Sequence, residues 1–275
     1  MQPSKGMFPL VRKRLGYRVA QQVPRFIPSW SCLLYRDPVT ACCVAIRIRD
    51  AKRAVQALLR LSVKERNRLL LLACKTGHLR AVQFLCSLPV SVGVDPAFMD
   101  NEAIRWASKH GHLNIVTFLC SLPAARGVDP ATHDNELIRW ASEKGHLDVV
   151  TFLCSLPAAR GVDPATHDNY AIGAASLNGH LDVVTFLCSL PEERGVNVSA
   201  DDNYAIGVAS LNGHLDVVTF LYSLPAARGI DVSADDNYAI RWASEKGHLD
   251  VVSFLCSLPL ARGVDPAARD NEAIR

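Results

Sequence analysis

The chain has 275 residues, of which 49% are apolar and 21% are charged, as expected for a folded globular protein. Residues 1–60 hold 12 Lys and Arg against 2 Asp, whereas residues 61–275 hold 18 Lys and Arg against 25 Asp and Glu. A basic N-terminal segment therefore precedes a mildly acidic remainder. No run of 18 apolar residues occurs, which argues against a membrane-spanning helix.

Residues 1–38 are predicted to form a basic, largely disordered arm. Five prolines interrupt any long helix here, and the Lys and Arg side chains keep the segment charged. An Arg-rich start without acidic residues also resembles a mitochondrial transit peptide, an alternative that the prolines and the low serine content disfavour.

Residues 39–65 are interpreted as a decayed or capping repeat. Arg53–Leu61 closely matches Arg80–Leu88 further along the chain, which predicts a second repeat helix there. Val39–Ile48 would then be the first helix of the same unit, although its β-branched residues favour a strand.

From residue 66 the chain repeats itself every 34 residues. A Gly-His pair marks the register at Gly77, Gly111, Gly145, Gly179, Gly213 and Gly247. A fixed period of this length predicts stacked helix–turn–helix units that bury their apolar faces against one another. The predicted array spans 66–99, 100–133, 134–167, 168–201, 202–235 and 236–269, with a partial copy at 270–275. Two interpretations of this uncapped end stay open: a fragment, or an apolar face that meets another molecule.

One unit, residues 134–167, illustrates the predicted helices. Asp134–Asn135 would supply side-chain acceptors for the amides of a helix start, followed by a helix over Leu137–Lys144. Gly145 would end that helix in the left-handed conformation. A second helix, Leu147–Leu156, would stop at Pro157.

Consecutive units with Gly-His-Leu-x-x-Val in this position resemble the ankyrin-repeat family. The resemblance implies an all-α, ankyrin-type α-solenoid with two antiparallel helices per repeat, a finger between repeats and a concave protein-binding face. The family's Thr-Pro-Leu-His helix start is absent, because Glu136–Arg139 stands in its place. The second helix and its exit are longer than the family pattern, and the stretch 161–179 is shorter, so we expect a short finger.

Neither the cysteines nor the histidines predict a ligand site. Five cysteines (Cys86, Cys120, Cys154, Cys188 and Cys256) occupy one position of successive repeats. Stacked helices lie about 8–10 Å apart, whereas a disulfide needs Cα atoms within about 7 Å, so we expect small buried side chains in a reducing compartment. The histidines after glycine are too far apart to share a metal ion, and we expect them to bond nearby backbone. The protein is predicted to be intracellular, in the cytoplasm or nucleus, without a cofactor.

The candidate binding residues are the first-helix positions that change from repeat to repeat. They are Glu102, Arg105, Glu136, Arg139, Glu143, Tyr170, Tyr204, Tyr238, Arg241 and Glu245. Aromatic side chains of this sort anchor interfaces. The alternative is a solvated face on which Arg139–Glu143 and Arg241–Glu245 form ion pairs within one helix. The family resemblance places Trp106, Trp140 and Trp242 towards the core.

The sequence favours a non-catalytic scaffold that binds partner proteins. It contains no nucleophile–base constellation, no phosphate-binding glycine loop and no Cys-x-x-Cys pair, so neither catalysis nor a small-molecule substrate is predicted. In the alternative hypothesis residues 1–62 carry the activity. They would be a ubiquitin-ligase-type adaptor with the array as its substrate-recognition arm, or a basic nucleic-acid-binding segment. The lack of interleaved aromatic residues disfavours nucleic acid.

Overall fold

The computed structural model describes residues 51–89 and 94–259, and these residues form helices and turns without a strand. The helices are α1 (Ala51–Leu59), α2 (Val63–Lys75), α3 (Leu79–Ser87), α4 (Phe98–Lys109), α5 (Leu113–Cys120), α6 (Thr132–Glu143), α7 (Leu147–Ser155), α8 (Thr166–Leu177), α9 (Leu181–Ser189), α10 (Ala200–Leu211), α11 (Leu215–Ser223), α12 (Ala234–Glu245) and α13 (Leu249–Cys256). No helix in the described residues is long and apolar enough to cross a membrane.

The chain divides into two compact units, residues 1–95 and 96–275. In the first unit, α1 corresponds to the helix predicted over Arg53–Leu61 and begins two residues earlier. Ser62 and Glu65 start α2 with a reciprocal capping box, in which each side chain bonds the other residue's backbone amide. The predicted N-terminal arm and the helix over Val39–Ile48 lie outside the described residues.

The second unit stacks helical hairpins, each with a first helix (α4, α6, α8, α10 or α12) and a second helix (α5, α7, α9, α11 or α13). The contact between first helices of neighbouring repeats is more extensive than the contact between their second helices. The core is built from the apolar faces, with Leu119, Leu153, Leu187 and Leu221 of the second helices fully buried. The all-α solenoid predicted from the 34-residue period is therefore confirmed.

The start of each first helix differs from the prediction. His133, Asp134 and Asn135 adopt left-handed φ values of 50°, 52° and 64°, and the same three-residue turn begins α4, α8, α10 and α12. Asp and Asn tolerate this region better than most residues do. No side chain caps the helix start at Ala131, so the predicted capping role of Asp134–Asn135 is wrong. The reason is that Asn135 instead bonds the turn that ends its own repeat, at Asp163.

The second helix and its exit are longer than the family pattern because the exit contains an additional turn. After α7 ends at Ser155, Pro157 leads into a 3-10 turn over Ala158–Arg160, which Gly161 closes at φ +70°. Equivalent turns follow α5, α9 and α11. The connection from Gly161 to the next left-handed turn is short, as the sequence predicts.

Candidate functional site

The Gly-His pairs join neighbouring repeats. Nε2 of His146, His180, His214 and His248 lies 3.1 Å from a backbone carbonyl oxygen of the preceding repeat, and because a carbonyl only accepts, Nε2 donates. Each of these imidazoles also packs against the glycine of the Gly-His pair in the preceding repeat. A Cβ added to Gly179, for example, would lie 2.6 Å from Nδ1 of His214. The expected backbone bond is present, and it crosses from one repeat to the next.

Asparagines form a second set of links that the sequence analysis missed. Asn135 Oδ1 accepts a hydrogen bond from the backbone amide of Asp163 at 2.8 Å, and Asn67, Asn101, Asn169 and Asn203 each make the equivalent bond 28 residues ahead. Asn135 is largely buried. Its recurrence every 34 residues was the available signal, but the helix-capping interpretation concealed the distance at which it acts.

Arginines at the 3-10 turns form a third set of links, also missed. Arg194 donates from Nη1 to the carbonyl of Cys154 at 2.7 Å and from Nη2 to that of Val162 at 3.2 Å. Arg160 and Arg228 make the equivalent bonds. Burial raises the pKa of the Cys154 thiol to about 11, although the nearby arginine opposes this shift.

The cysteines of this position are free and mostly buried, as predicted. Cys86, Cys120, Cys154 and Cys188 are enclosed, and burial raises the pKa of Cys120 and Cys188 to about 11 as well. Cys256 departs from the prediction because it is exposed, since no later repeat covers it within the described residues.

The candidate residues of the first helices contact one another in pairs across repeats. Arg105 forms an ion pair with Glu136, with only 18% and 15% of their side chains exposed. One repeat on, the Arg139 guanidinium lies 5.6 Å from the ring centre of Tyr170. In the next two repeats glycine replaces the arginine. A Cβ on Gly173 would lie 2.9 Å from the Tyr204 ring.

These pairs define the helix-one face, the surface formed by residues 136, 139, 170, 173, 204, 207 and 238. Tyr170 and Tyr204 are each 42% exposed on it, whereas Tyr238 is half-buried against Gly207. Burial, together with Tyr204 and Asp235 nearby, raises the pKa of the Tyr238 hydroxyl above its usual value.

The remaining candidates bond within their own repeats. Glu102 accepts a hydrogen bond from Trp106 Nε1 at 3.0 Å. Glu143 pairs with Lys144 at 2.7 Å and Glu245 pairs with Lys246 at 2.9 Å. Both glutamates therefore pair with the following lysine, which differs from the alternative hypothesis of ion pairs to arginines four residues earlier.

Arg241 and Arg139 turn back towards their left-handed turns. Arg241 Nη1 donates to the carbonyl of Asp236 at 3.3 Å, and Arg139 Nη2 donates to the carbonyl of His133 at 3.2 Å. Both arginine side chains are half-buried. The Arg139 bond holds its guanidinium beside the Tyr170 ring.

The tryptophans lie closer to the surface than predicted. Trp106 and Trp140 are half-buried, with ring centres 6.4 Å apart, and Lys109 Nζ lies 4.2 Å from the Trp140 ring centre. Ala174 and Val208, at the equivalent position, are buried. The prediction of core-filling tryptophans is therefore wrong, because rings of this size extend past the core and contact cations at its edge.

The acidic residues beside the tyrosines were not among the predicted site residues. Asp201, Asp202 and Asp235 are exposed in the left-handed turns next to Tyr204 and Tyr238. The available signal was a change from His-Asp at His133 to Asp-Asp at Asp201. In the described part of the chain, no group of three or more His, Cys, Asp or Glu side chains is arranged to hold a metal ion.

Stacked helical hairpins tied by repeated side-chain bonds define this protein as an all-α repeat solenoid. A family model described as ankyrin repeats in three copies matches residues 41–134 and 172–270, more than half of the chain. The chain belongs to the ankyrin-repeat family.

No curated protein matches the chain. Among solved structures, it is similar to an ankyrin repeat family protein from Legionella pneumophila, at 21% identity and a TM-score of 0.37. That match covers 86% of this chain and 74% of the other. Ankyrin repeats are in general protein–protein interaction modules, and proteins built from them are in general non-enzymatic.

Proposed function

We propose that this protein is a non-catalytic scaffold that binds partner proteins through the helix-one face. The observation that supports this most directly is the pair of exposed tyrosines, Tyr170 and Tyr204, at equivalent positions of successive repeats. Aromatic side chains contribute a large share of binding energy at protein interfaces. An exposed aromatic row on a face that otherwise carries bonded side chains is therefore the best candidate contact surface.

The contrast between fixed and varied positions supports the same surface. The bonded His, Asn and Arg side chains recur from repeat to repeat; the His and Arg bonds join the repeats, and the Asn bonds fix the turn at the end of each repeat. Residues of the helix-one face change between Arg, Gly, Glu and Tyr. Variation among surface residues is expected where repeats differ in what they contact.

The links between repeats also favour binding, because they hold the face in place before a partner arrives. Residues 134–167 and 168–201 share a histidine bond and an arginine bond, and the asparagine bond within 134–167 fixes the turn that joins them. A surface that is already ordered loses little conformational entropy on association.

The test is capture of partner proteins from cell lysate by the full chain, compared with a variant in which Tyr170, Tyr204 and Tyr238 are changed to Ala. The matched control changes Thr151, Thr185 and Thr219 to Ala, because these exposed residues of the second helices recur with the same spacing. We expect the tyrosine variant to lose proteins that the control retains. Circular dichroism and urea unfolding would establish that both variants fold.

Equal capture by the two variants would contradict the proposal and would place any binding surface elsewhere. Capture that depends on the tyrosines would identify the helix-one face as the contact surface.

A further inference from the structure

Tyr204 and Tyr238 border an open cleft of about 250 Å³. This volume is below the roughly 300–1,000 Å³ typical of small-molecule pockets, so the cleft suits a single side chain of a larger partner. The lining that matters here consists of Asp201, Asp202, Tyr204, Gly207, Asp235 and Tyr238.

Neighbouring repeats show which group this position accommodates. Tyr170 has the Arg139 guanidinium 5.6 Å from its ring centre, whereas the tyrosines of the next two repeats face Gly173 and Gly207 in place of an arginine. The preceding repeat thus supplies a cation to the first tyrosine and none to the other two, while Arg241, on the same helix as Tyr238, adds positive charge near that tyrosine. Aromatic rings attract a cation held within about 6 Å of the ring centre.

A second change removes positive charge from the same place. Nε2 of His133 lies 3.9 Å from Oδ2 of Asp100, and Nε2 of His167 lies 3.8 Å from Oδ2 of Asp134. In the following repeats the histidine position is Asp201 and then Asp235, so a carboxylate replaces a group that can carry positive charge. Two independent positions, on the helix and in the turn, therefore lose a basic side chain in the same repeats.

The carboxylates of the cleft are free to receive a partner. Asp201, Asp202 and Asp235 are exposed and make no side-chain hydrogen bond or ion pair with any described residue. Asp231, the fourth carboxylate of the lining, instead accepts bonds from the backbone amide and hydroxyl of Ser233 at 2.9 and 2.6 Å. The nearest arginine, Arg241, donates to the carbonyl of Asp236.

We infer that this cleft binds a Lys or Arg side chain of an extended basic peptide segment in a partner protein. The inference rests on the proposed function and names the class of partner. The cation would lie over the exposed tyrosine face, and the unpaired carboxylates would surround it. A polyanion such as nucleic acid is repelled by the same charges.

The spacing of the repeats specifies the peptide further. Neighbouring first helices lie about 8–10 Å apart. A polyproline II segment has three residues per turn and rises about 3.1 Å per residue, so it presents every third side chain on one face about 9 Å apart. The partner segment should therefore carry a basic residue at every third position, so that successive basic side chains can reach Tyr204 and Tyr238.

Fluorescence anisotropy with the full chain tests this directly. The probe is a labelled peptide of four Lys-Pro-Ser triplets, and its control has the same composition with the four lysines adjacent. We expect the spaced peptide to bind about fivefold to tenfold more tightly. Equal affinity for both peptides, or no binding of the spaced peptide, would overturn the inference.

A pair of charge variants separates the cleft from general electrostatic attraction. Asp201→His with Asp235→His restores the residue type of the preceding repeats, and His133 already occupies this left-handed position at φ 50°. Glu192→His with Glu193→His removes the same charge from an exposed 3-10 turn. We expect the first variant to weaken binding of the spaced peptide about tenfold and the second to leave it nearly unchanged.

Equal weakening by both variants would mean that only net charge matters, and the inference would fail. Lysate capture distinguishes this failure from that of the proposed function. Capture that requires the tyrosines but survives Asp201→His with Asp235→His would retain the scaffold and reject the basic partner.

Discussion

The contact between Gly179 and His214 of the following repeat makes a quantitative prediction about Gly179→Ala. Gly179 has φ +71°, and a Cβ there would lie 2.6 Å from Nδ1 of His214. The substitution should therefore destabilise the protein twice, once through the backbone and once through the displaced imidazole. Gly247, at φ +76°, has no atom within 4 Å of an added Cβ and provides the reference.

The magnitudes follow from the two effects. An L-residue in the left-handed region costs about 1–2 kcal/mol, which both substitutions should show. In Gly179→Ala the His214 ring must also move, and its 3.1 Å bond to the Leu177 carbonyl would be lost. A hydrogen bond of this kind contributes about 0.5–1.5 kcal/mol. We expect a total of about 1.5–3.5 kcal/mol for Gly179→Ala and about 1–2 kcal/mol for Gly247→Ala.

The assay is urea unfolding of the full chain, followed by far-ultraviolet circular dichroism, with free energies compared among variants of equal m-value. A double-mutant cycle with His214→Ala isolates the contact, because that change removes the ring that the Cβ would meet. Gly179→Ala should then cost only its backbone share, about 1–2 kcal/mol. An equal cost of Gly179→Ala with and without His214 would refute the role assigned to the imidazole.

Four further outcomes are expected from burial, hydrogen bonding and thiol ionisation. Leu153→Ala should cost about 2–5 kcal/mol in urea unfolding because its side chain is fully buried, whereas exposed Thr151→Ala should change stability by less than about 0.5 kcal/mol. Asn135→Ala should cost about 1–3 kcal/mol, since it leaves the backbone amide of Asp163 without its acceptor; a negligible change would show that water replaces the side chain. Iodoacetamide at pH 8 should modify Cys256 well before Cys154, as peptide mass spectrometry would show, because Cys154 is buried with its pKa raised to about 11. The same raised pKa makes the folded state hold its proton longer than the unfolded state, so the thiol's contribution to stability should be present below about pH 9 and lost as the pH rises towards 11.

The helix-one face combines structural and binding positions. Arg105 and Glu136 pair with each other and are largely shielded, so replacing either would disturb packing as well as any contact. Tyr170 and Tyr204 retain exposed ring surface, which makes them better probes of binding. The choice of tyrosines for the capture experiment follows from this difference.

The sequence by itself determined the fold and its register. Gly145 must adopt a left-handed conformation and Pro157 cannot continue a helix, so the bounds of Leu147–Ser155 follow from local chemistry. The apolar surface of helices this short requires neighbours, and an exact 34-residue period supplies identical ones. Local conformation and repeated burial were sufficient to predict a stacked all-α array.

Only the tertiary structure decided which side chains meet across repeats. Asn135 bonds an amide 28 residues ahead, and His180 bonds a carbonyl 37 residues behind. Neither distance equals the period, because each depends on how far one hairpin is shifted and rotated against the next. The same offset brings Tyr204 onto Gly173 and leaves Asp201 unpaired beside it. Local sequence contains no information on how far one hairpin is shifted and rotated against the next. The residues that share the helix-one face therefore followed from the packing of whole repeats.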